Sequence, residues 1–257
     1  MNTNVEIGMN LYTFREHCKT EADLASTLER LRKIGYVAIQ VSGIGPIPPK
    51  RVKELLDGNG QVCCATHERL DAYEERFDEV VEKLTTLECD FTALGSPGKG
   101  FNTPETVVDL CARLEKIGAR FREKNVTFGY HNHAMEFEKF SGKILLEEIL
   151  TRTKPDHVHF ELDLHWVARG GASPAHWMKK IAGRAHAIHM KDFLILDGNP
   201  VFAEVGEGNL DWDEILPLCR KAGTRWYIVE QDQPFGSRDI FESAKITYDN
   251  MRKMGLK

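Results

Sequence analysis

The sequence predicts an α/β protein, a single-domain (β/α)8 TIM barrel that spans residues 1–257. Three observations lead to this prediction. Short apolar runs alternate with longer segments of helical spacing, several runs end in polar clusters, and the length suits eight β/α units. The predicted strands are Ile7–Phe14, Val37–Val41, Gln61–His67, Asp90–Leu94, Val126–His133, Val158–His165, Ala185–Lys191 and Trp226–Asp232.

The segments between these runs carry helix signals. Residues 22–31 place their leucines on one helical stripe. Thr103–Pro104 combines an N-cap residue with proline at the first helical position, and Gly35 and Gly223 follow helical segments where a terminating glycine is expected. The alternative, a doubly wound open sheet, is disfavoured because the first run leads into Leu11–Arg15 without a glycine-rich phosphate-binding turn.

Composition excludes several classes of protein. The chain is 42% hydrophobic and 28% charged, with a net charge of −5, which is unfavourable for binding nucleic acid or an anionic membrane. No apolar run approaches the ~20 residues of a membrane span. Met1–Glu6 has neither part of a secretory signal, and the six cysteines lack C-x-x-C spacing. We therefore expect a cytoplasmic protein with reduced thiols, and the sequence leaves a homo-oligomer open.

Polar residues concentrate where the predicted strands end, which is the edge where TIM barrels place their active sites. Six of the ten histidines lie at or near these ends: His67, His131, His133, His165, His186 and His189. Asp163, His189 and Glu230 occupy comparable depths on strands six, seven and eight, which are neighbours in a closed barrel. Imidazole and carboxylate ligands that converge from different strands suit a divalent cation. We predict a metal site made of these three side chains.

Other polar residues at the same edge are candidates for handling protons and substrate. A cation chelated by a carbonyl and a neighbouring hydroxyl acidifies the intervening C–H, and a nearby base can then remove that proton. Glu230 and one residue of strand five (His131, His133 or Glu136) are the candidate proton carriers, although Glu136 could instead cap a helix. Lys191 could polarise the carbonyl, or it could pair with Asp163 or Glu161. Further substrate-binding candidates are His67, His133, His165, Tyr12 and Trp166.

Five ordered motifs make the chain similar to a known family. They are Tyr130–Phe137, Glu161–Val167, His189–Asp192, Val205–Trp212 and Val229–Asp232. With these motifs the chain resembles the sugar phosphate isomerase/epimerase family of xylose-isomerase-like TIM barrels, in a branch with Tyr-His-Asn-His on strand five. The resemblance implies one divalent metal ion, Mn, Zn, Co, Fe or Mg, held by Glu, Asp, His and Glu on strands five to eight.

The family's ligands carry over with one departure. Asp163, His189 and Glu230 match the last three, whereas the family's strand-five glutamate falls at His131, which becomes the fourth predicted ligand. On strand six the family's Asp-x-x-His is also altered, because Trp166 stands where the histidine is expected and the histidine is His165. The replacement at His131 argues against a proton transfer between two metal-bound glutamates.

The predicted function is metal-dependent isomerisation or epimerisation of a sugar, keto-sugar or related polyol through an enediolate, with catalytic residues Glu230, His131 and Lys191. The first alternative is a dehydratase or lyase acting on a keto-sugar or inosose with the same chemistry. A metal-dependent endonuclease of the same superfamily is disfavoured by the net charge of −5. A non-catalytic sugar-binding barrel remains the alternative from a different functional class.

Overall fold

A closed barrel of eight parallel strands forms the core of the protein, as the sequence predicts. The structure is a computed structural model that describes residues 6–257, so most of the segment used to judge a secretory signal lies outside the described residues. Each barrel strand pairs with the next, and the first pairs with the eighth. The barrel strands, in order, are Ile7–Asn10, Ala38–Val41, Val62–Glu68, Phe91–Leu94, Thr127–His131, His159–Asp163, Ala185–Met190 and Trp226–Val229.

Helices follow the strands and cover the outside of the barrel. Their bounds are Glu21–Ile34, Pro49–Gly58, Leu70–Glu75, Phe77–Leu87, Pro104–Glu123, Leu145–Arg152, Leu164–Arg169, Pro174–Lys180, Trp212–Ala222 and Ile240–Lys253. The predicted capping signals are present: the Thr103 side chain caps the helix that opens at Pro104, and Gly35 and Gly223 end two helices at positive φ. Within residues 6–257, we find no helix with the length and apolar character that crossing a membrane requires.

The barrel interior is layered from apolar to polar. Near the amino ends of the strands, Phe91 and Trp226 fill the interior together with small side chains such as Ala38 and Ala187. No side chain would fit at Gly129, where a Cβ would lie 2.7 Å from the Phe91 ring. Toward the carboxyl ends the buried interior side chains become amides, imidazoles and carboxylates. This gradient places the chemically capable residues at the mouth of the barrel.

Five strands, the first, fifth, sixth, seventh and eighth, end earlier than the apolar runs predict, and in the first and the sixth a polar side chain starts a helix at the strand end. The first stops at Asn10, whose side chain accepts a hydrogen bond from the Tyr12 N–H and starts a short 3-10 helix, Leu11–His17. The sixth stops at Asp163, which caps the helix Leu164–Arg169. His165 therefore lies in a helix and does not continue the inward-facing alternation of the strand.

Two β-hairpins in the loops at the mouth were not predicted. One pairs Lys139–Phe140 with Lys143–Ile144, and the other pairs Asp192–Leu196 with Asn199–Ala203. The buried Asp192 carboxylate organises the second hairpin and the loop after it. It accepts hydrogen bonds from the Trp212 indole and from the main-chain N–H of Gly206 and Leu210. The second hairpin thereby becomes a fixed wall of the mouth.

Candidate functional site

Asp163, His189 and Glu230 meet at the mouth of the barrel. Their potential ligand atoms all lie within 4.8 Å of one another. His189 Nδ1 is 3.8 Å from Asp163 Oδ2 and 3.5 Å from Glu230 Oε2. Asp163 and His189 are fully buried and Glu230 is 6% exposed. We call these three side chains the mouth triad.

Two atoms of the mouth triad lack hydrogen-bond partners among the described residues, although both are buried: Asp163 Oδ2 and His189 Nδ1. Buried polar atoms in folded proteins are nearly always paired, so an unpaired cluster needs an explanation. One nitrogen and two carboxylate oxygens are a donor set that transition-metal ions and Mg²⁺ accept. The triad could therefore hold a divalent cation, and its unpaired atoms are those that such a cation would satisfy.

The end of the sixth strand is held firmly in place around Asp163. Its Oδ1 accepts a hydrogen bond from the Trp166 N–H at 2.9 Å, which leaves Oδ2 facing the triad. The Asn132 side chain clamps the main chain of Asp163 from the other side, because it accepts from the Asp163 N–H at 2.9 Å and donates to its carbonyl at 3.3 Å. These contacts orient the Asp163 carboxylate so that Oδ2 faces the triad, while Oδ2 itself makes no hydrogen bond.

Two hydrogen-bond donors, Asn10 and Lys191, orient the Glu230 carboxylate, and Lys191 also lies close to two other carboxylates. Asn10 donates to its Oε2 at 2.6 Å, and Lys191 Nζ donates to its Oε1 at 2.6 Å. Lys191 also donates to Asp232 at 2.8 Å and lies 3.5 Å from Asp163 Oδ2. Of the two partners anticipated for Lys191, the structure places Asp163 within reach. The ammonium is fully buried and engaged by carboxylates.

A second polar group lies one layer deeper on the barrel axis. It contains His67, His131, Glu161 and His189, whose potential ligand atoms also lie within 4.8 Å of one another. The strand register explains this depth: His131 pairs with Glu161, whereas Asp163 pairs with His189. His131 therefore stands two residues below the level of Asp163. The structure groups it with the deeper layer and not with Asp163 and Glu230.

His133 lies at the level that His131 does not reach. It is half-buried, and its Nδ1 has no hydrogen-bond partner among the described side chains and main chain. Burial lowers the pKa of His133, so the ring is neutral near pH 7. Its main-chain N–H donates to Glu136 Oε2 at 2.8 Å, and Tyr130 donates to Glu136 Oε1 at 2.9 Å. Glu136 is thus a fully buried capping group, and His133, two residues after the end of the fifth strand, is the neighbouring side chain with an unpaired nitrogen.

The Glu136 carboxyl gives the site a measurable pH signature. Burial raises its pKa from 4.5 to about 7, so the folded protein binds this proton more tightly than the unfolded chain. The resulting stabilisation is complete below pH 4.5 and is lost as the pH rises through about 7. The Glu136→Gln side chain cannot ionise. We therefore expect the free energy of unfolding of this variant, relative to that of wild type, to be about 3 kcal/mol more favourable at pH 8.5 than at pH 4.5. Urea unfolding at both pH values measures this difference.

Exposed Glu138 provides the matched control for that comparison. Glu138→Gln should have only a small effect on stability at both pH values, since this side chain is exposed to solvent. A Glu136→Gln effect that is constant between pH 4.5 and pH 8.5 would contradict the assignment.

The aromatic and histidine candidates line the upper wall of the mouth. His165 is buried, donates from Nδ1 to the Asp192 carbonyl at 3.3 Å, and stacks on Phe202 with ring centroids 5.0 Å apart. Its Nε2 has no hydrogen-bond partner among residues 6–257. Trp166 is half-buried between the rings of His133 and His165. Tyr12 is 40% exposed at the opposite rim.

The electrostatics of the mouth favour positive charge. Burial opposes ionisation of Glu230, yet Lys191 and His189 lower its pKa to about 2. Burial likewise disfavours the charged form of His189, but Glu161 and Glu230 raise its pKa to about 10. Despite burial, Glu230 and Asp163 raise the pKa of Lys191 above its ordinary value. Carboxylates thus outweigh cations here, which is the field expected around a cation site.

Two cavities of similar size lie at opposite ends of the barrel. One of 630 Å³ is lined by His67 and by the loops after the third and fourth barrel strands, including Gly95 and Lys99. The other, also 630 Å³, is more apolar and lies at the amino ends of the strands beside Cys63 and Trp226. We place the functional site at the carboxyl ends of the strands, where TIM barrels work and where the mouth triad lies, although the triad side chains do not line the first cavity.

Sequence reasoning missed two side chains that shape this site, Asn10 and Gln40. Gln40 donates to Glu161 Oε1 at 3.0 Å, and its own oxygen lies 2.9 Å from His189 Nε2. Neither side chain is an acid or a base, so a search of the sequence for acids, bases and metal ligands does not find them. The available signal was a polar residue inside a strand that is otherwise apolar and buried, Ala38–Val41.

A TIM barrel with a buried cluster of ligating side chains at its mouth defines the general class of this protein. Residues 28–250 match the family model described as Xylose isomerase-like TIM barrel. The chain therefore belongs to the xylose isomerase-like TIM barrel family, which confirms the predicted resemblance.

Curated relatives are distant. An inosose dehydratase of Lacticaseibacillus casei is 27% identical over 151 residues, which cover 52% of this chain and 50% of that protein. An inosose dehydratase of Clostridium tetani is 24% identical over 147 residues. The chain thus spans about half the length of the curated relatives it matches.

Solved structures match over nearly the whole chain. A sugar phosphate isomerase/epimerase of Parabacteroides distasonis gives a TM-score of 0.84 at 21% identity, covering 98% of this chain and 95% of that one. These similarities show the fold. Together with the curated relatives, they associate the chain with proteins named as isomerases, epimerases and dehydratases.

Proposed function

We propose that the protein is a divalent-metal-dependent enzyme that acts on a sugar, keto-sugar or related polyol and transfers a proton at the carbon beside a carbonyl. Isomerisation or epimerisation is the first candidate outcome. The observation that carries the proposal is the mouth triad, in which Asp163 Oδ2 and His189 Nδ1 are buried, unpaired and within 3.8 Å of each other.

The triad residues Asp163, His189 and Glu230 would hold the cation. When bound, it would stabilise negative charge that develops on the substrate oxygens as the C–H bond is broken. Lys191 remains protonated and buried against Glu230, so we assign it the role of positioning that carboxylate. The positioning role takes the place of the predicted role of Lys191, polarisation of the substrate carbonyl, because the Lys191 ammonium is fully buried.

Proton transfer falls to Glu230 and His133 in this proposal. Glu230 is buried but is the triad member with some exposed surface, 6%, and the unpaired Nδ1 of half-buried His133 is a neutral base. His131, the strand-five residue first predicted for this role, is 3% exposed and lies below the triad. The unpaired nitrogens of His133 and His165 would also accept hydrogen bonds from hydroxyl groups, which suits a polyol.

The charge of the mouth favours an uncharged substrate. Glu161, Asp163, Glu230 and Asp232 lie close to the axis, and Lys191 is the buried ammonium among them. Even with a divalent cation present, the carboxylates exceed or balance the positive charges. A phosphorylated sugar would therefore be repelled at the reacting end, whereas a neutral keto-polyol would not.

Elimination is the second candidate outcome, and a specific observation favours it. Of the two strand-five candidates that could oppose Glu230 from the family's glutamate position, His131 carries no carboxylate and the Glu136 carboxylate is held as a cap, so Glu230 has no opposing glutamate among them. One base beside one acid is sufficient to remove a proton and expel a β-hydroxyl group as water. The curated relatives named inosose dehydratase are compatible with this outcome.

The test is incubation of purified protein and Mn²⁺ or Co²⁺ with ketoses, 3-keto-glycosides, inososes and sugar phosphates in D2O, followed by NMR. We expect metal-dependent deuterium incorporation beside the carbonyl of a neutral compound, and His133→Gln should slow it by about 10²-fold or more. The product distinguishes isomer, epimer and dehydrated ketone. Ligand-induced thermal stabilisation with no exchange at any carbon would instead support a non-catalytic sugar-binding protein.

A further inference from the structure

The Gln40 side chain occupies the centre of the deeper polar layer, directly beneath the mouth triad. Its Oε1 lies 2.9 Å from His189 Nε2, and its Nε2 lies 3.0 Å from Glu161 Oε1. All three residues are fully buried. Gln40 thus links the one imidazole of the triad to a buried carboxylate on the neighbouring side of the barrel.

The partners fix which way the Gln40 amide faces. A carboxylate oxygen accepts hydrogen bonds, so the NH2 group of Gln40 must be the end that faces Glu161. The carbonyl end then faces His189 Nε2 and accepts its N–H. In the neutral ring that a cation requires, a proton kept on Nε2 leaves the lone pair on Nδ1, which is the atom directed at Asp163 Oδ2 and Glu230 Oε2.

The deeper layer could itself be considered as a second metal site, since His67, His131, Glu161 and His189 offer ligand atoms within 4.8 Å of one another. The position of Gln40 argues against that assignment. Its amide nitrogen lies 2.9 Å from His67 Nε2 as well as 3.0 Å from Glu161. The amide group therefore fills the space among these atoms, and His67 pairs directly with Glu161.

We propose that Gln40, anchored by Glu161, is a positioning residue that holds His189 in the tautomer and ring orientation required to bind a divalent cation through Nδ1. This inference rests on the cation site of the proposed function. A hydrogen bond to the second nitrogen of a ligating imidazole fixes its orientation and makes it a better ligand, and its loss weakens metal binding by about 10–100-fold.

The test compares the Mn²⁺ or Zn²⁺ affinity of full-length variants by isothermal titration calorimetry, with stability measured in EDTA. Gln40→Met removes the acceptor 2.9 Å from His189 Nε2 and leaves only the more distant Glu161 Oε2, at 3.4 Å, so it should weaken binding by about 10–100-fold. Gln40→Glu retains an oxygen acceptor facing His189 but places a second carboxylate against Glu161. It should lose stability yet bind the cation within about threefold of wild type, because the acceptor is retained.

Gln61→Met is the matched control. Gln61 is a buried glutamine that donates to the Leu28 and Tyr36 carbonyls at the other end of the barrel. Its loss should lower stability without changing cation affinity.

Three outcomes would overturn the inference. They are Gln40→Met binding as tightly as wild type, Gln40→Glu losing tenfold or more, and Gln61→Met weakening the affinity as much as Gln40→Met. Wild-type protein that binds no divalent cation would overturn the proposed function as well. Binding that follows the predicted pattern without substrate turnover would leave the positioning role standing and refute only the proposed reaction.

Discussion

Asp163→Asn is expected to weaken divalent-cation binding by at least about 10²-fold, since loss of an outer hydrogen-bonding partner alone costs 10–100-fold. The physical reason is that the two oxygens of the Asp163 carboxylate have different roles. Its Oδ1 already caps the Trp166 N–H at 2.9 Å, so in the variant the amide oxygen keeps that role. The amide NH2 then replaces Oδ2 and directs N–H groups at His189 Nδ1. The oxygen proposed to bind the cation is thus replaced by a hydrogen-bond donor, while the cap of the helix Leu164–Arg169 is retained.

Titration calorimetry and turnover in the same preparation measure this effect. Turnover should fall with cation occupancy, and it should recover in part at high metal concentration. Asp213→Asn, a change at an exposed carboxylate in the first turn of the helix Trp212–Ala222, is the matched control and should leave both quantities unchanged. Equal cation affinity of Asp163→Asn and wild type would remove Asp163 from the site.

Lys191→Met is expected to destabilise the cation-free protein by about 3–5 kcal/mol, because it leaves buried carboxylates without their counter-charge. Lys191 Nζ lies 2.6 Å from Glu230, 2.8 Å from Asp232 and 3.5 Å from Asp163. A divalent cation in the mouth triad would compensate part of that loss. We therefore expect the melting temperature of the variant to rise more on addition of Mn²⁺ than that of wild type, because the folded variant binds the cation more tightly once the neighbouring ammonium no longer repels it.

Lys245→Met is the control for this prediction. Lys245 pairs with Asp249 on the surface, with 60% of its side chain exposed, and such pairs contribute about 0–1 kcal/mol. Thermal unfolding of wild type and both variants, each in EDTA and in excess Mn²⁺, gives the six melting temperatures needed. A Lys191→Met protein as stable as Lys245→Met in EDTA would show that the buried ammonium does not neutralise the mouth carboxylates.

The strand order and the convergence of the mouth triad could be predicted because both follow from simple regularities. Buried parallel strands read as apolar runs, and a closed barrel brings the ends of strands six, seven and eight together. Asp163 and His189 indeed face each other in the register of adjacent strands. These positions depend on chain order alone and not on how loops pack.

The depth of His131 could not be predicted in the same way. Strands in a barrel are tilted and staggered, so residues at equivalent places in two apolar runs need not lie at one level. The register that pairs His131 with Glu161 appears only when the barrel closes. The resemblance placed His131 among the predicted ligands, and the stagger of the strands places it one layer below Asp163.

The hairpin after strand seven was missed although a local signal exists. Asp197 and Gly198 both adopt positive φ, and this Asp-Gly pair lies between two apolar segments, which is the strongest short-range hairpin signal. The proposed role of Gln40 could not be predicted from the local sequence, because it depends on hydrogen bonds to Glu161 and His189 on two other strands. Hydrogen-bond networks of uncharged side chains are set by tertiary packing and have no sequence pattern of their own.

The proposed function requires that Asp163, His189 and Glu230 together bind one divalent cation. Anomalous X-ray diffraction from crystals of the Mn²⁺- or Co²⁺-loaded protein locates that cation. We expect one strong anomalous peak per chain, about 2.0–2.3 Å from Asp163 Oδ2, His189 Nδ1 and Glu230 Oε2. A peak elsewhere in the barrel, or none at saturating metal concentration, would contradict it.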